Sequence, residues 1–145
     1  MSGVPITSQE KSEALSRVPL FQGISDESLA RLSDVAGEQH FGAGEFVVRQ
    51  GQVGTGLYVL LEGEASVLRG TTELARLGPG DFIGELAVID QQPRVASVRA
   101  ETPTRVLAIA SWDLLRLLQE DHALALNLIN GLAARLRAAG ESHRH

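Results

Sequence analysis

Between Gly44 and Gly84 every apolar run is cut short by a glycine. Phe46-Val47-Val48-Arg49 lies between Gly44 and Gly51, and Gln52-Val53-Gly54-Thr55-Gly56 reads as a turn. Leu57 to Leu61 is a continuous apolar run ended by Glu62-Gly63, and Ala65 to Arg69 is followed by the hairpin loop Gly70-Thr71-Thr72. Glu73 to Leu77 then alternates until Gly78-Pro79-Gly80 breaks it. Pieces of this length suit strands, and strands joined by glycine turns at regular spacing restrict the centre of the chain to a sandwich or barrel. Further on, Ser97 to Glu101 reads as another strand, Pro103 interrupts, and Arg105 to Ile109 is the last one.

Helical patterns flank this centre. Residues 1–11 are polar and read as loose, and Ser12-Glu13-Ala14-Leu15 begins a short helix that Pro19 stops. Leu20, Phe21 and Ile24 form an apolar bend. Ser25 is an N-cap, with Asp26 and Glu27 in the first turn, where the helix dipole favours them. Leu29, Leu32, Val35 and Ala36 line one face, and Gly37 is the expected stop. At the other end Ser111 is expected to cap a helix carrying Trp112, Leu114, Leu115, Leu117 and Leu118, and Asp121 a longer one. Leu124, Leu128, Ile129, Leu132 and Leu136 form a stripe on that last helix, with Gly131 costing about 1 kcal/mol relative to Ala. Gly140 is expected to end it.

A chain of 145 residues with 43% hydrophobic residues can build one core and is too apolar for disorder. The net charge of −5 disfavours nucleic-acid binding through bulk charge. There is no cysteine, so disulfides and thiolate metal sites are excluded. No stretch approaches the length of a membrane span, no secretion signal is visible, and a cytoplasmic location is the expectation.

The chemistry concentrates in residues 82–98. Phe82-Ile83 reads as a strand end, Gly84 as a point of close backbone approach, and Glu85 to Ile89 as one or two helical turns. The first N–H groups of such a turn lack intrahelical partners and suit a phosphate. Arg94, ten residues after Gly84, offers a planar guanidinium that grips an anion at two points. Ala96 and Ser97 leave room beside it. Glu85 would repel a phosphate, but it suits a sugar hydroxyl or Arg94 itself. Singly these residues are commonplace: a Gly-Glu-Leu-Ala run is unremarkable, and an arginine after a proline is usually a solvated turn residue. Their joint spacing carries the argument.

Gly84-Glu85-Leu86-Ala87, six residues, then Pro93-Arg94-Val95-Ala96-Ser97-Val98 resembles the phosphate-binding cassette of cyclic nucleotide-binding domains. Pro19-Leu20-Phe21, Gly44-Glu45, Gln50-Gly51, Leu57 to Gly63 and Gly78-Pro79-Gly80-Asp81 resemble that family in order and spacing, so the resemblance covers about Leu15 to Leu136. It implies a mainly β fold with flanking helices. That fold is an eight-stranded jelly-roll-like β-roll with N-terminal helices, a short phosphate-binding helix and a C-terminal helix pair. The implied division is a single domain over 1–145: helices over 12–37, the roll over 38–110 with its cassette at 82–98, and helices over 111–139. The resemblance assigns the amides of Gly84, Leu86, Ala87 and Ala96, with Arg94, to the cyclic phosphate, and Glu85 to the ribose 2′-hydroxyl. Val95 departs from the Ser or Thr that many members carry there. It can donate no hydroxyl and cannot read a guanine amino group, which favours cAMP over cGMP. Val67 or Leu74 is implied for the base wall, and the stripe through Leu128 and Leu132, with Arg135, for a lid. The same stripe reads equally as core packing or a homodimer seam.

No Ser/His/Asp grouping or paired carboxylate is present, and His40, His122, His143 and His145 have no metal-ligand spacing, so neither catalysis, cofactor nor metal is expected. The reading is a cyclic nucleotide sensor, cAMP first, that reports occupancy through its C-terminal helices to an effector protein. No direct nucleic-acid contact is expected. The alternative is a ligand-free roll serving as a structural or protein-interaction module, against which the presence of both Glu85 and Arg94 counts.

Overall fold

A computed structural model of the chain describes residues 6–53, 56–84 and 94–142, with the side chains of 135, 139, 141 and 142 left aside. Helix α1 (Ser8–Ser16), a 3-10 turn (Pro19–Phe21) and helix α2 (Asp26–Val35) precede the strands. α1 opens at Ser8 rather than Ser12, inside the stretch expected to be loose. The reason is a capping box: the Thr7 hydroxyl accepts from the Glu10 N–H at 3.1 Å, and the Glu10 carboxylate accepts from the Thr7 N–H at 3.2 Å. Ser25 caps α2 through the Ser28 N–H, as its sequence position predicts. α2 closes at Val35, and Gly37 is already the first residue of a strand rather than the helix stop.

Eight strands follow among the described residues: β1 (Gly37–Phe41), β2 (Phe46–Val48), β3 (Gly56–Glu62), β4 (Ala65–Arg69), β5 (Thr72–Leu77), β6 (Phe82–Ile83), β7 (Ser97–Ala100) and β8 (Thr104–Ala110). They form two antiparallel four-stranded sheets, in the orders β1-β8-β3-β6 and β2-β7-β4-β5. This is the expected β-roll with flanking helices; the short helix expected over Glu85 to Ile89 lies outside the described residues. Helices α3 (Ser111–Glu120) and α4 (His122–Ser142) complete the chain. β8 runs directly into α3, so Ala110 takes the N-cap place and Ser111, buried, is already helical and caps nothing. Asp121 does cap α4, accepting from the Leu124 N–H at 3.0 Å. α4 continues past Gly140 to Ser142.

The continuous apolar run of β3 has a simple cause: its sheet is covered on both faces. Side chains alternate along a strand. Leu57 and Val59, opposite Ile109 and Leu107, face the helices and pack with Leu15, Phe21, Leu32, Leu114, Leu117 and Leu124. Tyr58 and Leu60 face inward, where Leu60 and Val106 form a second cluster with Val47, Ala65 and Val98. β6 obeys the same rule in two residues: Phe82, opposite Val59, belongs to the helix side, and Ile83, opposite Tyr58, to the inside of the roll.

Candidate ligand site at Gly84 and Arg94

Two of the sequence-selected residues meet at the end of β6. Gly84 has φ +101°, a conformation that side-chain-bearing residues rarely adopt. A Cβ there would stand 2.6 Å from the Gly56 carbonyl oxygen and 3.1 Å from Nη2 of Arg94, with Nη1 nearer still. Glycine is therefore what lets the guanidinium lie against the backbone. Nη2 of Arg94 donates to the Gly56 carbonyl at 2.8 Å, and its Cζ stands 6.0 Å from the centre of the Tyr58 ring, at the edge of cation–π range.

The main chain of Arg94 is held as firmly as its side chain. Its N–H donates to the Gln52 carbonyl at 2.7 Å, and its own carbonyl accepts from the Gly51 N–H at 2.8 Å. The turn between β2 and β3 thus grips Arg94 on both sides, while the first residue of β3 receives its guanidinium. Burial pushes the Arg94 pKa down, an effect that the Tyr58 side chain opposes. Among the described residues the buried Nε has no hydrogen-bond partner and no carboxylate pairs with this cation. A partly desolvated guanidinium with no acid beside it among the described residues has the chemistry to receive an anion.

The other selected residues distribute as follows. Glu85, Leu86 and Ala87 lie outside the described residues. Val95 is 74% exposed, and Ala96, partly buried, leads into β7. Val67 lies between Ala75 and Val98 and packs on the inner cluster that also contacts Tyr58 and Ile83. Leu74 is the extra residue of a β-bulge, where the register shifts from Val67–Ala75 to Leu68–Glu73, and it is half exposed. Leu128 and Leu132 sit on the other side of the sheet. With Pro19, Leu20, Phe82 and Gly131 they line a groove of about 420 Å³ between α4, the 3-10 turn and β6. The structure therefore does not bring the expected lid against Val67 or Leu74. The Arg135 side chain is outside the described set.

Gly56, Tyr58 and Gln52 were not singled out from sequence. Each touches Arg94 across many tens of residues, and only the alternation that turns Tyr58 inward could have hinted at one of them. Among the described residues, no group of three or more His, Asp or Glu could hold a metal, and no helix is long and apolar enough to cross a membrane.

Comparison with known proteins places this chain in a family. The family described as "Cyclic nucleotide-binding domain" matches residues 38–121, more than half of the chain. A cAMP-dependent protein kinase regulatory subunit of Emericella nidulans is 36% identical over 106 residues, which is 72% of this chain and 26% of that protein. The cGMP-dependent protein kinase egl-4 of Caenorhabditis elegans is 30% identical over 95 residues, 61% of this chain and 12% of that one. The chain thus spans about a quarter or less of these relatives' length. Among solved structures, the catabolite activator protein of Thermus thermophilus superposes with a TM-score of 0.77 at 33% identity, covering 86% of this chain and 61% of that one. With a glycine-admitted guanidinium at the end of a two-sheet β-roll, and with a family match across that whole roll, the chain belongs to the cyclic nucleotide-binding domain family.

Proposed function

We propose that this chain is a non-catalytic cyclic nucleotide sensor that prefers cAMP and signals occupancy through α3 and α4. The observation that carries the reading is the Arg94 guanidinium, half-buried against Gly84 with no carboxylate partner among the described residues. A cyclic phosphodiester is the anion proposed to meet it. In this reading the amides of Gly84, Leu86, Ala87 and Ala96 share the phosphate with Arg94, and Glu85 accepts from the ribose 2′-hydroxyl. The inward face that holds Val67 receives the base, with Leu74 at its rim.

The cAMP preference rests on Val95, which offers no hydroxyl to a guanine amino group. The kinship to both a cAMP-dependent and a cGMP-dependent kinase leaves the choice of base to this residue. Signal transmission rests on the groove lined by Leu128 and Leu132: a helix bordered there by a groove can shift, with Arg135 on the same helix, when only one position favours ligand. Leu126, Ile129 and Leu136, exposed on α4, would seat a second copy or an effector protein.

Isothermal titration with cAMP, cGMP and AMP tests the reading. Saturable binding of cAMP, weaker binding of cGMP and none of AMP is expected. Tighter binding of cGMP would overturn the Val95 argument, and no binding of either cyclic nucleotide would sink the sensor.

A further inference from the structure

The clamp on Arg94 is tied to a second part of the roll. The β2–β7 ladder ends at the Val48–Val98 pair, and the residues that follow β2 are tied differently. The Gln50 N–H donates to the Ser97 hydroxyl at 2.8 Å. The Gln50 side chain reaches the other way, its Oε1 accepting from the Gly70 N–H at 2.9 Å, at the turn between β4 and β5. The two residues after Gln50 are the ones that hold Arg94, through the Gly51 N–H and the Gln52 carbonyl. Gln50 therefore joins three segments: the start of β7, the β4–β5 hairpin and the turn that grips the arginine.

We propose that Gln50 and Ser97 are positioning residues for ligand binding. They hold the Arg94 main chain at a set distance from the hairpin that carries Val67 and Leu74, and so fix the anion receptor relative to the wall of the roll. Neither touches the ligand; both act through Arg94. The inference rests on the proposed role of Arg94, but the hydrogen bonds of the strap can be tested without ligand. Loss of one such hydrogen bond corresponds to about a fivefold change in an equilibrium constant.

The test uses the full chain with S97A, S97T, Q50L and Q50E. Thr keeps the hydroxyl, and Glu keeps an acceptor at the same reach. Two readouts are taken: amide exchange at Gly51, Gly70 and Arg94 without ligand, and titration with cAMP. S97A and Q50L should speed exchange at Gly51 and Arg94 while the amides of β3 and β8 stay protected, and should weaken cAMP binding about fivefold. S97T and Q50E should restore both. Unchanged exchange at Gly51 and Arg94, or failure of both conservative variants to rescue, overturns the inference. So does acceleration spread evenly over the roll, which marks a merely stabilising role. If the unaltered chain binds no cyclic nucleotide, the sensor reading falls, and the exchange pattern alone decides the strap.

Discussion

Nη2 of Arg94 donates to the carbonyl of Gly56, 2.8 Å away, so the cation is held by the first residue of β3 and by no acid among the described residues. Removing one half of a buried charge pair costs roughly 2–5 kcal/mol, or roughly 30- to 4000-fold in affinity. Arg94→Leu should lose cAMP binding by that factor. Because the guanidinium is partly desolvated and its Nε has no partner among the described residues, the ligand-free variant should keep its stability to within about 1 kcal/mol. Calorimetric titration and urea unfolding of the same variant check both halves. Undiminished binding removes Arg94 from the site.

Gly84→Ala attacks the same contact from the other side. The new Cβ meets the Gly56 carbonyl oxygen, which is backbone and cannot swing away, and the positive φ adds strain of its own. A stability loss of about 1–3 kcal/mol is expected, together with weakened ligand binding as Arg94 is displaced. Thermal unfolding with and without cAMP measures each; a variant indistinguishable from the parent contradicts the close approach.

Asp121 ties α2 to α4. One carboxylate oxygen accepts from the Ser28 hydroxyl at 2.5 Å, the other from the Leu124 N–H at 3.0 Å, and the side chain is buried. The Ser28 hydroxyl, then the Leu124 N–H, hold its pKa below the ordinary carboxylate value, against the opposing effect of burial. An acid depressed in the folded state stabilises fully above its unfolded pKa of about 3.9, and that contribution is lost as pH falls through the folded value. Asp121→Ala should cost about 0.5–2 kcal/mol at neutral pH as a lost cap, and the gap to the parent should narrow below about pH 4. Urea midpoints measured from pH 7 to pH 2.5 give the curve. A gap that is constant across that range rules out the assigned titration.

Asn127 fastens α4 to the segment after α1. Its amide donates to the Leu20 carbonyl at 3.1 Å and also to the Gln22 carbonyl. Asn127→Ala removes both bonds beside the groove under Leu128, at about 1 kcal/mol each. Amide exchange should rise along α4 while β3 and β8 remain protected. Equal acceleration in the strands would mean that the contact stabilises the whole molecule rather than the helix.

The strands were legible because glycines bracket runs whose alternation or continuity matches the number of covered faces. Leu57 to Leu61 reads as continuous since its sheet is covered twice, whereas Glu73 to Leu77 forms an edge strand that is exposed up to its last residue. Gly84 and Arg94 were legible through their spacing. The box at Thr7 went unread because it opens a polar helix with no strong apolar stripe, and Ser111 misled because a strand feeds straight into its helix. The grip of Gln52 and Gly56 on Arg94 depends on contacts about forty residues apart in sequence, which no local pattern encodes. For the same reason the side of the sheet on which Leu128 and Leu132 settle emerged only from the packing of Phe82.

That packing has a mechanical corollary. Phe82 and Ile83 are consecutive, yet one abuts the α4 groove and the other the interior beneath Tyr58, and Gly84 comes next. A two-residue strand has no spare length in which to absorb a rotation. On the proposed reading, a tug on the backbone at Gly84 would swing both side chains at once, gearing the ligand end, like a see-saw about a single peptide, to the footing of the last helix.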